Sequence, residues 1–167
     1  MSNQKGCSTM IKFGSNCNED MVFTIDIIDN NDNILKIKVA SSEKLQQQDT
    51  VSEENPKIKK ILEKANQLYP DLNNVYEITF ERYILYQTRN ESFCSWDDYE
   101  VRHGNTFIIF ERSRLLDNLC SITDCCQLEG GEYYPGKWTH YGIYTLNHII
   151  DVVSCNPPKI EKRNFNF

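Results

Sequence analysis

The sequence predicts an α+β domain: a mainly antiparallel β-sheet with about two helices packed on one face. Three observations point there. Several β-branched runs alternate apolar and polar residues, turn-forming clusters separate them, and two stretches carry apolar residues at helical spacing instead. At 167 residues the chain has the length of one domain, and about 70% of the unfolded surface of such a chain can be buried. Residues 1–167 are therefore read as a single globular domain, with a polar N-terminal arm at 1–20 and a basic C-terminal tail at 157–167.

The elements follow in chain order. "MVFTIDIID" and "ILKIKVA" flank the turn-rich "NNDN" and predict a hairpin. Leu35, Ile37 and Val39 share one face of its second strand while Lys36 and Lys38 take the other, so one face is wet. "SSEKLQQQDTVSEEN" has no apolar period and reads as a loop. In "PKIKKILEKANQLYP", Asn55 can cap, Pro56 suits a first turn, and Ile58, Ile61, Leu62, Ala65 and Leu68 fall on one helical face. Pro70 is expected to end that helix.

"VYEITFERYILYQTR" then predicts one long strand whose apolar face is interrupted only by Arg82. "NESFCSWDDYEVRHGN" reads as an acidic, aromatic loop, and "TFIIFE" as a short strand in a central position. Leu115, Leu116, Leu119 and Ile122 predict a short second helix. "GGEYYPG" is a turn or loop. The last two strands, 137–144 and 148–154, pair around "TLN", with Tyr144 opposite His148 and His140 opposite Val152.

The net charge of −6 falls in two blocks: residues 1–55 carry five lysines and nine acids, and residues 91–132 three arginines and nine acids. Such a surface repels phosphate, so neither nucleic acid nor anionic membrane is an expected partner. No run approaches about 18 consecutive apolar residues, and the first twenty residues lack a signal-peptide core, which together predict a cytoplasmic protein. With that location and an odd count of seven, the cysteines read as mostly reduced thiols.

Candidate chemical sites are sparse. In the predicted register the two imidazoles His140 and His148 stand about 13 Å apart, too far to share a metal ion, and both read as scaffold. Cys120, Cys125 and Cys126 lie within "CSITDCC", but the second close ligand pair that structural zinc uses is missing, so no metal and no cofactor is expected. A thiol-dependent enzyme would need Cys125 or Cys155 activated by His140 or His148, and no nucleophile elbow, phosphate loop or HExxH motif accompanies them. The sequence therefore predicts no catalytic residue. "RNES" at 89–92 is a glycosylation sequon in form only, given the expected location.

The strongest surface candidate is "FCSWDDYE", residues 93–100. Trp96 and Tyr99 bracket Asp97 and Asp98, and Glu100 follows. Aromatic anchors among carboxylates suit a basic protein partner: the rings supply desolvated area and the acids steer association. In size, acidic balance, α+β pattern and loops such as "SWDDYE", the chain resembles the small immunity proteins of bacterial contact-dependent and polymorphic toxin systems. That resemblance implies stoichiometric binding to a basic toxin domain through Trp96, Asp97, Asp98, Tyr99 and Glu100, with the 124–134 segment as a further contact. The alternatives are the thiol enzyme and a regulatory protein with a non-toxin partner.

Overall fold

The computed structural model describes residues 11–16, 21–44 and 68–163. Eleven strands and one α-helix are present among them: β1 (Val22–Asp29), β2 (Ile34–Lys44), β3 (Leu68–Glu81), β4 (Tyr83–Asn90), β5 (Val101–His103), β6 (Phe107–Arg112), α1 (Arg114–Ile122), β7 (Cys126–Gln127), β8 (Tyr133–Tyr134), β9 (Thr139–Tyr144), β10 (His148–Ser154) and β11 (Lys159–Arg163). The strands form a four-stranded sheet in the order β1-β2-β3-β11, a five-stranded sheet in the order β4-β10-β9-β6-β5, and a small β7-β8 ribbon. Every neighbouring pair is antiparallel.

The core lies between the two larger sheets. Leu35, Ile37 and Val39 of β2 and Ile78 and Phe80 of β3 meet Phe107, Tyr141, Ile143, Ile150 and Val152 of the other sheet. The period-2 pattern read along β2 thus selects the buried face, with Lys36 and Lys38 outside. Ile11 and Phe13, in what reads as a polar arm, join this core; the Phe13 ring packs edge-on against Phe107, Tyr141 and Phe80. The basic tail likewise supplies β11, which pairs with β3.

The run 75–89 is not one strand. It breaks at Arg82, whose φ of 59° turns the chain out of one sheet and into the other, so that β3 and β4 belong to different sheets. An apolar pattern cannot report this, because the alternation resumes in the second sheet with only one residue out of step. The predicted first helix falls mostly on residues outside those described, but its end is corrected: Leu68, Tyr69 and Pro70 are strand, with Pro70 opposite Ser42. The second helix forms as expected, capped by the Ser113 hydroxyl, which accepts from the Leu116 amide at 3.1 Å.

The final hairpin forms one residue away from the predicted register: Tyr144 faces Ile149 and His140 faces Val153. The turn itself fixes this pairing. Thr145 Oγ1 accepts from the His148 amide at 3.0 Å, and Asn147 clasps β1, its side chain accepting from the Thr24 amide and donating to the Thr24 carbonyl, each at 2.9 Å. The clasp sits at the bulge of β1 and ties the two sheets together.

Candidate functional site

The register places a polar group of side chains on the outer face of the five-stranded sheet. His140 and Tyr144 of β9, Ile149 and Asp151 of β10, and Gln87 and Arg89 of β4 all point that way, while His148 takes the opposite face. The two histidines therefore lie on opposite faces, not on the one face that the predicted register gives them. Phe110 of β6 stacks on the His140 ring at 4.0 Å and 7°. Gly142 permits this crowding, since a Cβ there would come within 2.9 Å of Phe110 and 3.1 Å of Tyr144.

A chain of hydrogen bonds runs through this face. Ser113 Oγ lies 2.8 Å from His140 Nδ1, and His140 Nε2 lies 3.1 Å from Asp151 Oδ1. The ionised Asp151 carboxylate can only accept, so the imidazole donates to it from Nε2. The other carboxylate oxygen accepts from Gln87 Nε2 at 2.9 Å and from Arg89 Nε and Nη2 at 3.1 and 2.8 Å. Burial opposes ionisation of Asp151, but the bonds from His140 and Gln87 and the charge of Arg89 outweigh it and hold the carboxyl below its ordinary range.

Ser, His and Asp in this order have the composition of a hydrolytic triad, but not its geometry. A nucleophilic serine must reach substrate, whereas Ser113 is fully buried and spends its oxygen on capping α1. The chain of bonds instead fastens the start of the helix to the sheet. Leu119 completes the attachment by packing against Val153 and Cys125.

Beside the helix, the loop 94–100 covers part of the same face and borders an open cavity of about 540 Å³. Its floor is Asp151, His140, Ile149 and Tyr144; Arg89, Arg102 and Arg114 line its walls, and Phe93, Trp96 and Glu100 its rim. The loop is held by its own polar contacts. Asp97 accepts from the Tyr99 amide at 2.9 Å and from Arg114 Nε at 2.9 Å, and the Arg114 bond, then the Tyr99 amide and the Arg114 charge, hold its carboxyl below the usual carboxylate range. Glu100 accepts from the Arg114 amide at 3.3 Å, and the Tyr99 carbonyl accepts from Arg112 Nε at 2.8 Å. The Tyr99 ring lies beneath the Arg112 and Arg114 guanidinium groups, at 4.5 and 4.0 Å, and the Arg102 guanidinium lies 3.7 Å over Trp96, whose Nε1 donates to Asp98 at 2.7 Å.

Each predicted contact residue thus has a definite place. Trp96 is 70% exposed, as is the neighbouring Phe93 at 87%. Asp97, Asp98 and Glu100 lie beside them but accept bonds from within the protein, and Tyr99 is half-buried. Sequence reasoning missed Arg89, Arg102, Arg112, Arg114 and Tyr144. The one signal available was the even spacing of Gln87 and Arg89, which puts both on one strand face.

The thiols of the described residues differ in exposure. Cys120 is exposed, Cys125 buried, and Cys94, Cys126 and Cys155 half-buried. Cys155 Sγ sits 3.6 Å from the Gly136 carbonyl, and burial, then the nearby Cys125, pushes its thiol up rather than towards thiolate. Both His140 nitrogens are engaged by Ser113 and Asp151, and His148 Nδ1 is buried without a partner among the described residues. Asn90 of the formal sequon caps a short 3-10 turn, Glu91–Phe93, by accepting from the Ser92 amide. Among the described residues no group of three or more His, Cys, Asp or Glu side chains is arranged to hold a metal ion, and no helix is long and apolar enough to cross a membrane. Comparison with protein-family models, curated proteins and solved structures finds no match to this chain.

Proposed function

We propose that this protein is a non-catalytic binding module, an immunity-type protein that neutralises a basic toxin domain by stoichiometric binding through the loop 93–100. The observation that carries the reading is the exposed pair Phe93 and Trp96 on a loop whose backbone is fixed by Asp97, Glu100, Arg112 and Arg114. Two large rings held ready in water are the economical basis of a binding hot spot, because little conformational freedom is left to lose on association. The arginines temper the local negative charge, so the rings supply most of the affinity and the overall balance of −6 supplies long-range steering.

The thiol-enzyme alternative has weaker support, since Cys155 is pushed away from thiolate and His140 is committed elsewhere. The test is capture of partners by the tagged protein from its native cells at low and moderate salt, with mass spectrometry, alongside the double variant Phe93→Ala/Trp96→Ala. A stoichiometric basic partner that is lost in the variant and weakened by salt supports the reading. A partner held equally by the variant, or none at all, overturns it. A toxin gene immediately upstream separates immunity from regulation of some other partner.

A further inference from the structure

We propose that the cavity behind the 93–100 loop is a binding site for a small zwitterion, a free amino acid or dipeptide, with its carboxylate on Arg102 and Tyr144 and its ammonium group facing Glu91 and Glu100. Two of the three arginines in the walls are already paired. Arg89 is bonded to Asp151 at 2.8 Å and Arg114 to Asp97 at 2.9 Å. Arg102 has no acceptor among the described residues; its only contacts of this kind are with ring faces, Trp96 at 3.7 Å and Tyr144 at 5.5 Å. Stacking occupies the face of a guanidinium and leaves its in-plane N–H edge available, which is the geometry that receives a carboxylate.

A second donor converges on the same space. The half-buried Tyr144 lines the cavity, and its hydroxyl has no acceptor among the described residues. Burial, then Asp151, keeps this phenol protonated, so it stands ready to donate. Asp151 is engaged elsewhere, its two oxygens receiving His140, Gln87 and Arg89.

Charge selects the class of anion. With Arg89 and Arg114 neutralised by their partners, the cavity keeps Arg102 against Glu91 and Glu100, two carboxylates to one cation. A phosphate dianion would meet net repulsion there. A single carboxylate joined to an ammonium group sets its negative charge on Arg102 and its positive charge between the two glutamates, and about 540 Å³ lies within the ordinary range of small-ligand sites. This site does not depend on the protein partner: a zwitterion can be bound where no partner is captured, and the reverse.

The experiment is a thermal-shift screen of the full chain with free amino acids and dipeptides, followed by calorimetry of the best binder. That binder is then compared with its C-terminal amide, its N-acetyl form and inorganic phosphate, and titrated into Arg102→Gln and Tyr144→Phe. We expect amidation, acetylation and Arg102→Gln each to weaken binding about tenfold or more, the scale of one lost charged contact, with phosphate failing to compete. The proposal is overturned if no member of the panel stabilises the protein, if the amide binds as well as the acid, or if phosphate is preferred. Should Arg102→Gln fail to fold, the acid and amide comparison on the unaltered chain decides.

Discussion

Replacing Asp151 tests whether the buried polar chain holds the helix to the sheet. In Asp151→Ala three donors lose their acceptor, but not at equal cost. Gln87 is exposed and the Arg89 side chain is 43% exposed, so both can turn to water, and the surface-like part of that ion pair is worth under about 1 kcal/mol. His140 is only 2% exposed, and its Nε2–H is left without a partner at about 1–3 kcal/mol. The expected loss is therefore about 1–4 kcal/mol, which moves a urea midpoint by roughly 0.5–2 M at the slopes usual for small proteins. Circular dichroism during urea unfolding reads it. A loss below about 1 kcal/mol would mean that water or a neighbour replaces the carboxylate freely, and that the chain of bonds is incidental to stability.

The same residue makes a prediction about acid. Burial works against ionised Asp151, yet the His140 and Gln87 bonds and the Arg89 charge prevail and depress its pKa on folding. A group depressed in this way contributes stability above its unfolded pKa of about 3.9, and that contribution is lost as pH falls through the lower, folded value. The stability difference between the parent and Asp151→Asn should be constant above pH of about 5 and shrink as the pH drops below about 4. Parallel pH profiles would refute the argument.

Other consequences can be checked with the same unfolding assays. Gly142→Ala places a Cβ 2.9 Å from Phe110 and should cost about 1–3 kcal/mol; Gly104→Ala should cost more, since its φ is +91° and the new carbon would lie 2.5 Å from the Phe107 carbonyl. Arg82 has a φ of 59°, so Arg82→Gly should leave the melting temperature nearly unchanged while Arg82→Val lowers it. Tyr83 donates to Asp29 at 2.7 Å, and that bond, with burial, raises its phenol to about 12. Absorbance titration should show one tyrosine ionising there, returning towards the ordinary range in Asp29→Asn; its stabilising bond is present below the unfolded pKa of about 10 and lost as pH rises through the folded value.

Much of the fold was legible because burial on one face leaves a period in the sequence. Leu35, Ile37 and Val39 mark the inner face of β2, and Leu115, Leu116 and Leu119 mark the side of α1 that packs on the sheet. What the period cannot carry is which sheet a strand joins. The turn at Arg82 changes sheets through a single left-handed residue, and nothing about arginine announces that conformation. The polar arm misled for a related reason: two apolar residues, Ile11 and Phe13, suffice to dock a short segment and are too few to form a period.

The site was less legible, and one residue of register accounts for most of it. Side chains alternate across a sheet, so a slip of one moves every residue of a strand to the other face. In the predicted pairing His140 would share a face with His148, and Asp151 would lie on the opposite side. In the observed pairing His140 shares its face with Asp151, and through Asp151 with Gln87 and Arg89. The turn residues Thr145 and Asn147 set that choice by bonding to His148 and to β1, contacts that no local pattern records. The exposed half of the site was easier to find, because Trp96 sits among acids in a segment with no periodic face to bury it. Its restraint was not: the arginines that fix the loop come from β5, from the end of β6 and from the start of α1, and only the fold brings them to residues 96–100.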